Sequence, residues 1–245
     1  MLLVLPPSET KRDGGAEGSA LAVSDLSFPE LSRHRRSTLS SLRTLSQNIS
    51  ASTVALGLGA TQRDEVLRNR AVRTSPVLPA IERYTGVLYD GLEAASLSPA
   101  ERRFADEHVV IHSALFGLLR AGDPIPAYRL SHDSRLPELS LRSHWKAPIS
   151  QLLREYPGLV LDLRSESYAH LGPAPDATYL RVVSESATGR KVALSHSNKK
   201  AKGQFTRAII AAQVDHDSTE SLLLWAEQQG IRLEPGAPGE LDLVV

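Results

Sequence analysis

The sequence predicts a mixed α/β fold, closer to α+β than to a doubly wound sheet, in a single domain over residues 1–245. Short apolar runs typical of strands alternate with helical patterns along much of the 245-residue chain, which favours a central sheet flanked by helices. Several connections have hairpin signatures, so the predicted sheet is mixed rather than parallel throughout. No low-complexity linker divides the chain, and its 41% of apolar residues is enough for one sizeable core.

The first half of the chain predicts one buried strand followed by helices. Residues 2–5 are an apolar run that Pro6 ends, which is typical of a short buried strand. A long loop over residues 8–24 follows, and long loops often carry function. Ser27 is the expected N-cap of the next helix, on which Arg33 to Arg36 form a charged face. The predicted helices of this half span residues 28–48, 61–72 and 77–84.

The second half predicts further strands, two of them joined in a terminal hairpin. Ser98 and Glu101 form a capping-box pattern that begins a helix over residues 98–106. Ala187-Thr188-Gly189 is a hairpin turn signal. Strands are predicted over residues 109–116, 127–130, 159–163, 179–184, 191–195, 231–234 and 241–245. Helices are predicted over residues 145–156, 165–171 and 218–229, the last followed by Gly230, and a basic helix begins near residue 197.

Composition excludes several functional classes. The net charge is zero, with 28 basic and 28 acidic side chains, so anion binding has to come from local clusters of cations. The chain has no cysteine, which excludes disulfides, thiolate metal sites and a cysteine nucleophile. No apolar run approaches the about 20 residues of a membrane span, and the first residues lack the features of a signal peptide. We therefore expect a cytoplasmic protein with no membrane contact.

The basic helix carries the most informative pattern in the chain. Its first turns hold four cations: Lys199, Lys200, Lys202 and Arg207. Cations are disfavoured at a helix N-terminus, so this cluster predicts an anion site, although a solvated lysine-rich surface explains it about as well. Gly203 lies inside the helix, where glycine costs about 1 kcal/mol relative to alanine. A close approach of backbone, by a ligand or by another element, would account for that glycine.

Two other segments hold candidate site residues. Arg164, Ser165 and Glu166 follow a predicted strand and precede a helix, which is where ligands bind in α/β sheets. Glu166 is the candidate acid or base there, whereas Ser165 has the alternative role of helix cap and Arg164 with Glu166 that of an exposed ion pair. Arg120, with Tyr128 and Arg129, places cations and an aromatic ring near the Gly122-Asp123-Pro124 turn. Such a combination can stack on and neutralise nucleic acid, although an ordinary loop with one core tyrosine is the alternative.

Other motifs are weak. Gly57-Leu58-Gly59 half-resembles a dinucleotide fingerprint, but the third glycine is missing, so a turn is the better interpretation. His108 and His112 have the spacing of helical metal ligands. The apolar residues between them favour a strand, which would hold the two side chains about 13 Å apart. We therefore predict no metal site.

Five segments, in this order along the chain, resemble the motifs of the YaaA-like peroxide-stress family. They are Pro7-Ser8-Glu9-Thr10-Lys11, residues 84–92, residues 113–130 with Ser113-Ala114-Leu115-Phe116-Gly117 and Tyr128-Arg129-Leu130, residues 161–168, and Asn198-Lys199-Lys200-Ala201-Lys202-Gly203 with Arg207. The resemblance covers nearly the full length. It implies a cytoplasmic bacterial protein that lowers iron-dependent oxidative damage and binds DNA through a helix-hairpin-helix-like element and a basic cleft. It implies no cofactor and no established reaction.

Two main functions follow from these residues. The first is non-sequence-specific binding of double-stranded DNA, with phosphates neutralised by Lys199, Lys200, Lys202, Arg207, Arg120 and Arg129. The alternative is an enzyme that binds a nucleotide or similar anion in a cleft formed by Thr10, Lys11, Tyr128, Arg129, Ser165, Glu166 and Lys200. Direct iron binding is the weakest hypothesis, because the chain lacks cysteine and its histidines are scattered.

Overall fold

The computed structural model describes residues 1–59, 61–185, 191–193 and 198–245, which fold around a mixed, mostly parallel central sheet. The strands are β1 (Leu2–Leu5), β2 (Leu78–Pro79), β3 (Val109–Ser113), β4 (Gly117–Arg120), β5 (Pro124–Ile125), β6 (Val160–Asp162), β7 (Thr178–Glu185), β8 (Lys191–Ala193), β9 (Leu233–Pro235) and β10 (Glu240–Val244). The helices are α1 (Ser32–Ser46), α2 (Ile49–Ala55), α3 (Asp64–Arg70), α4 (Ala80–Arg83), α5 (Val87–Leu92), α6 (Pro99–His108), α7 (Leu141–Glu155), α8 (Glu166–Leu171), α9 (Asn198–Ala212) and α10 (Thr219–Gln228).

β1 lies inside the sheet, whose order is β4-β3-β1-β6-β7-β10-β9, with β8 paired to β7. β1 runs parallel to both β3 and β6, and its four residues are buried, as expected for a strand covered on both faces. β7 is parallel to β6 and β10, whereas β4, β8 and β9 are antiparallel partners. The carboxyl ends of β1, β3 and β6 therefore meet at one edge of the sheet.

The predicted fold class is confirmed, and several elements match their predictions closely. Ser98 and Glu101 form the predicted capping box at the start of α6. The basic helix forms as α9, and β9 with β10 forms the terminal hairpin. The strands on either side of Ala187-Thr188-Gly189 pair antiparallel as predicted, although that turn lies outside the described residues.

Four local predictions are wrong, each because a side-chain hydrogen bond or a strand pairing overrides the local pattern. Ser27 does not cap a helix, since its hydroxyl donates to Asp123 and a 3-10 turn precedes α1. The helix predicted over residues 77–84 shrinks to α4, because β2 pairs with β5. The strand predicted over residues 109–116 ends at Ser113, whose Oγ accepts two backbone N–H groups in a turn. Residues 127–130 form no strand, and the side chain of Asn69 binds the Arg129 backbone instead.

The predicted charged face of the first long helix is also only partly present. Arg35 is fully buried and donates to the carbonyl oxygens of Phe116 and Leu118. The helix-hairpin-helix-like element is not confirmed and stays a prediction. Across the ranges that the structure describes, no helix has both the length and the apolar character needed to cross a membrane.

Candidate functional site

A cleft of ≈ 400 Å³ opens where β1 and β6 end. The carboxyl edge of parallel strands is the usual ligand position in α/β sheets, because the loops that leave the strands diverge there. The loop after β1, the segment that enters α5, the turn after β6 and the start of α9 all contribute to its lining. The polar and aromatic side chains that line it include Ser8, Thr10, Thr85, Ser165, Tyr168 and Lys199.

Three hydroxyl groups form a cluster on one wall of the cleft. The Thr10 hydroxyl lies 3.2 Å from that of Ser8 and accepts a hydrogen bond from the Thr85 hydroxyl at 3.0 Å. Gly86 follows with a φ of 97°, and a Cβ there would lie 3.3 Å from the Ser8 hydroxyl. The glycine therefore lets the backbone that enters α5 approach the hydroxyl cluster. These groups offer donors and acceptors to a polar ligand.

The cations of α9 have different environments. Lys199 is exposed and lines the cleft, and Lys200 is exposed beside it. Lys202 is buried, and its ammonium donates to the carbonyl oxygens of Leu163 at 3.0 Å and Arg164 at 3.3 Å. Burial lowers the pKa of Lys202 to about 8. The predicted phosphate-binding cluster is thus divided, since Lys202 holds the turn after β6 while Lys199 faces the cleft.

Arg207 lies two turns further along α9 and forms an ion pair with Glu101 at 3.4 Å. The Arg207 guanidinium therefore lies against α6. Of the four predicted α9 cations, Lys199 lines the cleft.

The prediction of a close backbone approach at Gly203 is confirmed. A Cβ on Gly203 would lie 2.0 Å from the carbonyl oxygen of Leu88, and a Cβ on Gly91 would lie 2.8 Å from that of Lys200. The two glycines thus allow α5 and α9 to cross with their backbones in contact. This crossing positions the start of α9, and with it Lys199, beside the hydroxyl cluster.

Lys11 lies behind the loop that carries Ser8 and Thr10. It is buried, and its ammonium donates to the carbonyl oxygens of Ser8 at 3.0 Å and Glu9 at 3.2 Å. The ammonium also lies 4.1 Å from the centre of the Tyr128 ring. Burial, with a smaller contribution from the charge of Arg129, lowers the pKa of Lys11 to about 7. The predicted residues Lys11 and Tyr128 therefore shape one wall of the cleft from behind.

Tyr128 is held in place by a chain of buried hydroxyl groups. The Ser113 hydroxyl accepts two backbone N–H groups, so its own proton is donated to Tyr128 at 2.7 Å. The Tyr128 hydroxyl also shares a hydrogen bond with the Tyr84 hydroxyl, again at 2.7 Å. Burial raises the pKa of Tyr128 to about 12. The chain fixes the ring against which the Lys11 ammonium rests.

Arg129 contacts the cleft through Glu9. Its Nη2 lies 2.7 Å from a carboxylate oxygen of Glu9, which belongs to the cleft lining. The buried side chain of Asn69 binds the Arg129 backbone N–H and carbonyl at 2.7 and 2.8 Å. The guanidinium is therefore anchored directly behind the cleft wall.

The turn after β6 differs from its prediction. Ser165 is exposed in the cleft, and its side chain makes no capping hydrogen bond to α8. Arg164 is buried rather than exposed, and it binds both carboxylate oxygens of Asp162 and the Nδ1 of His112. Glu166, the candidate acid or base, is exposed in the first turn of α8 beside Ser165.

Arg120 does not join the site. It pairs with Val110 at the amino end of β3, which is the opposite edge of the sheet from the cleft. Its side chain lies among Asp106, Glu107 and Asp123. The tight β3–β4 hairpin reverses the chain direction and so places Arg120 at that opposite edge.

His112 and the apolar residues before it lie in β3, as predicted, whereas His108 is the last residue of α6 rather than part of the strand. His112 is fully buried in β3, and burial, followed by the nearby Arg164 charge, lowers its pKa well below the usual value. Within residues 1–59, 61–185, 191–193 and 198–245 there is no group of three or more side chains suited to hold a metal ion.

Several residues of the cleft were not predicted as site residues from the sequence. Thr85, Tyr89 and His132 all line it, and the His132 ring meets the Tyr168 ring edge-on at 5.3 Å. A Thr-Gly pair immediately before a helix was a usable signal for Thr85. His132 lies in an irregular loop, and no local pattern marks it.

Fold and site together define a mixed α/β protein with a hydroxyl-rich cleft at the carboxyl edge of its parallel strands. Comparison with known proteins takes the assignment further. The chain belongs to the family described as peroxide stress protein YaaA, which it matches over residues 1–235. The predicted family resemblance is therefore confirmed.

Relatives of similar length support this assignment. A UPF0246 protein of Corynebacterium glutamicum (strain R) is 40% identical over 252 aligned positions that cover 100% of both chains. A UPF0246 protein of Streptomyces coelicolor is 37% identical over 247 positions, which cover 98% of this chain and 94% of the relative. The similarity thus extends through β1, the cleft and α9.

Proposed function

We propose that the cleft binds a small phosphate-bearing molecule, such as a nucleotide, and that this binding serves the peroxide-stress role for which the family is named. The observation that carries the proposal is the meeting of Lys199 with the hydroxyls of Ser8, Thr10 and Ser165 in one cleft. An ammonium and several hydroxyls are donors that suit phosphate oxygens. The volume of ≈ 400 Å³ is in the range of small-molecule sites.

Aromatic groups on the same cleft favour an organic ring beside the phosphate. Tyr89, Tyr168 and His132 contribute to the lining. Their rings can pack against a heterocycle, as aromatic side chains do with nucleobases. A nucleotide combines both features, so it is the ligand class that we place first.

Binding of double-stranded DNA is the second candidate, and the exposure of Lys199 and Lys200 favours it. Neither lysine forms an ion pair with a residue that the structure describes. A duplex needs a track of such cations along a surface. Arg129 and Arg207 are paired with carboxylates and Arg120 lies at the far edge of the sheet, which is why we place the small ligand first.

The cytoplasmic location and the link to iron-dependent oxidative damage are further parts of this proposal. A cytoplasmic protein that binds a phosphate-bearing ligand would limit iron-dependent oxidative damage by acting on that ligand or in response to it. If the role is enzymatic, Glu166 is the candidate acid or base beside Ser165. Direct iron storage has no support from the described side chains, which provide no three-ligand cluster.

The test compares nucleotide and duplex binding by the full chain and its Lys199→Ala variant. Calorimetric titration with AMP, ADP and ATP should show binding, and Lys199→Ala should weaken it about tenfold or more, because one charged hydrogen bond is lost. Lys146→Ala removes an exposed lysine of α7 outside the cleft lining and serves as the matched control. Equal nucleotide affinity in Lys199→Ala and wild type would contradict the proposal.

Duplex titration over a range of salt concentrations separates the two candidates. Each phosphate that a cation neutralises adds about −0.9 to the slope of log affinity against log salt. If duplex DNA is the ligand, the Lys199→Ala/Lys200→Ala variant should make that slope less negative by about 2. A duplex affinity that this variant leaves unchanged, together with Lys199-dependent nucleotide binding, would leave only the small-ligand function.

A further inference from the structure

The Arg129 guanidinium is held firmly but uses only part of its hydrogen-bonding capacity. Arg129 is 8% exposed, and Asn69 fixes its backbone on both sides. Its Nη2 contacts Glu9, whereas its Nε is buried without a hydrogen-bond partner among the described residues. A buried N–H without a partner is costly, so it marks a position where a further acceptor would be favourable.

Two other arginines of the chain use both Nε and Nη2 to bind the two oxygens of one carboxylate. Arg164 places Nε and Nη2 on the two carboxylate oxygens of Asp162. Arg181 does the same with Glu240. In Arg129, by contrast, Nη2 contacts Glu9 while Nε has no partner among the described residues. Two oxygens of one anion would satisfy both donors.

Glu9 is the carboxylate next to both Arg129 and Lys11. The nearby Arg129 charge contributes to the lowered pKa of Lys11. Glu65, the other carboxylate that acts on Lys11, is already paired with Arg68. The Glu9 side chain is 65% exposed at the cleft surface, so solvent can replace its contact readily.

We propose that the ligand of the cleft carries a second anionic group, and that this group replaces the Glu9 carboxylate on the Nε–Nη2 edge of Arg129. Glu9 occupies that subsite in the absence of ligand. The proposal rests on the proposed function, since the first anionic group is the one that Lys199 and the hydroxyl cluster bind. It narrows the ligand class to molecules with two linked anions, such as a nucleoside diphosphate.

The subsite and the Lys199 end belong to one cleft. Glu9 lies between Ser8 and Thr10 in the chain, and all three residues line the cleft with Lys199. Movement of the Glu9 side chain would open the Arg129 edge to the same space that the hydroxyls face. The proposal therefore places both anionic groups of the ligand in this one cleft.

Titration of the full-length protein with inorganic pyrophosphate tests this inference. Glu9→Gln should bind pyrophosphate about tenfold more tightly than wild type, because the competing carboxylate is gone and the charged donor is free. Glu240→Gln breaks an equally charged pair at Arg181, away from the cleft, and should match wild type. Arg129→Lys in the Glu9→Gln background keeps the charge but lacks the Nε–Nη2 edge, and it should abolish the gain.

Two results would overturn the inference alone: Lys199-dependent pyrophosphate binding that Glu9→Gln does not strengthen, or a gain that survives Arg129→Lys. The second result would mean that Glu9→Gln acts only through net charge. If neither wild type nor Glu9→Gln binds pyrophosphate or nucleotides, the proposed function fails together with the inference. Far-UV circular dichroism of each variant checks that it folds.

Discussion

Burial changes the role of lysines that a sequence pattern marks as ligand contacts. Lys11 and Lys202 each donate to two backbone carbonyls, and both pKa values lie well below that of a free lysine. Their ammonium groups therefore stabilise the loops that form the cleft. Lys199, a few residues away from Lys202, stays exposed because α9 turns it toward the cleft.

The lowered pKa of Lys11 predicts a pH dependence of stability. Between pH 7 and about 10 the unfolded chain holds a proton on Lys11 that the folded protein lacks, so the free energy of unfolding should rise with pH. The contribution is at most about 1.4 kcal/mol per pH unit. Lys11→Met should lose it, which urea unfolding of both proteins at intervals from pH 7 to 9.5 would measure.

Lys146→Met is the control for this experiment, because it replaces an exposed lysine. Its stability should follow pH as the wild type does. Equal pH slopes in Lys11→Met and wild type would show that Lys11 keeps an ordinary pKa in the folded protein. Lys202 adds a contribution of the same sign, so the difference between proteins is the informative quantity.

At the level of helices and strands, the sequence predicts what neighbouring residues decide. β1, the capping box of α6, the terminal hairpin and α9 each follow from a local pattern. Gly203 belongs to this group, since the cost of a glycine inside a helix can be recognised from the sequence without knowledge of the element it packs against. These elements form as predicted because no distant contact competes with them.

What the sequence does not reveal are contacts between residues far apart in the chain. Arg35 is buried because the carbonyls of Phe116 and Leu118 accept its donors. Arg120 is a predicted site residue, but the direction of β4 places it at the edge of the sheet opposite the cleft. The Glu9–Arg129 contact depends on the Asn69 side chain as well. Each of these contacts depends on the topology of the fold, which local sequence patterns do not show.

The crossing of α5 and α9 yields a prediction about stability. Gly203→Ala would place a methyl group against the backbone of α5, which cannot move aside as a side chain can. We expect a loss of about 1–3 kcal/mol or more in the free energy of unfolding, measured in urea. Nucleotide affinity should fall as well, since α9 carries Lys199.

Gly59→Ala is the matched control, because its new methyl group would lie in ordinary contact, 3.6 Å from the Gln62 side chain. Its stability should stay within about 1 kcal/mol of wild type. If Gly203→Ala were as stable as Gly59→Ala, the two helices would not be in backbone contact in solution.

For the molecule as a whole, the sheet joins segments from both halves of the chain. β1 pairs with β3 and β6, and β7 pairs with β10, so neither half can complete the sheet alone. One hydrophobic core extends from Met1 to Leu243. This arrangement agrees with the predicted single domain.

We therefore expect one cooperative unfolding transition. Trp145 in α7 and Trp225 in α10 are both buried, and they report on different parts of the core. Trp145→Phe and Trp225→Phe each leave one tryptophan. In each variant the fluorescence midpoint in urea should coincide with the midpoint from far-UV circular dichroism. Separate midpoints would indicate two independently folding units.

The backbone contact between α5 and α9 at Gly91 and Gly203 also bears on the length of the proposed ligand. α5 begins just after Thr85 and Gly86, α9 begins beside Lys199, and both starts line the cleft. Because the helices touch through backbone atoms, main-chain contact rather than side-chain packing sets the separation of these two helix starts. If the proposed ligand bridges them, a molecule too short to do so would keep one anchor and lose the other. The two glycines would then select ligands by size without contact to them.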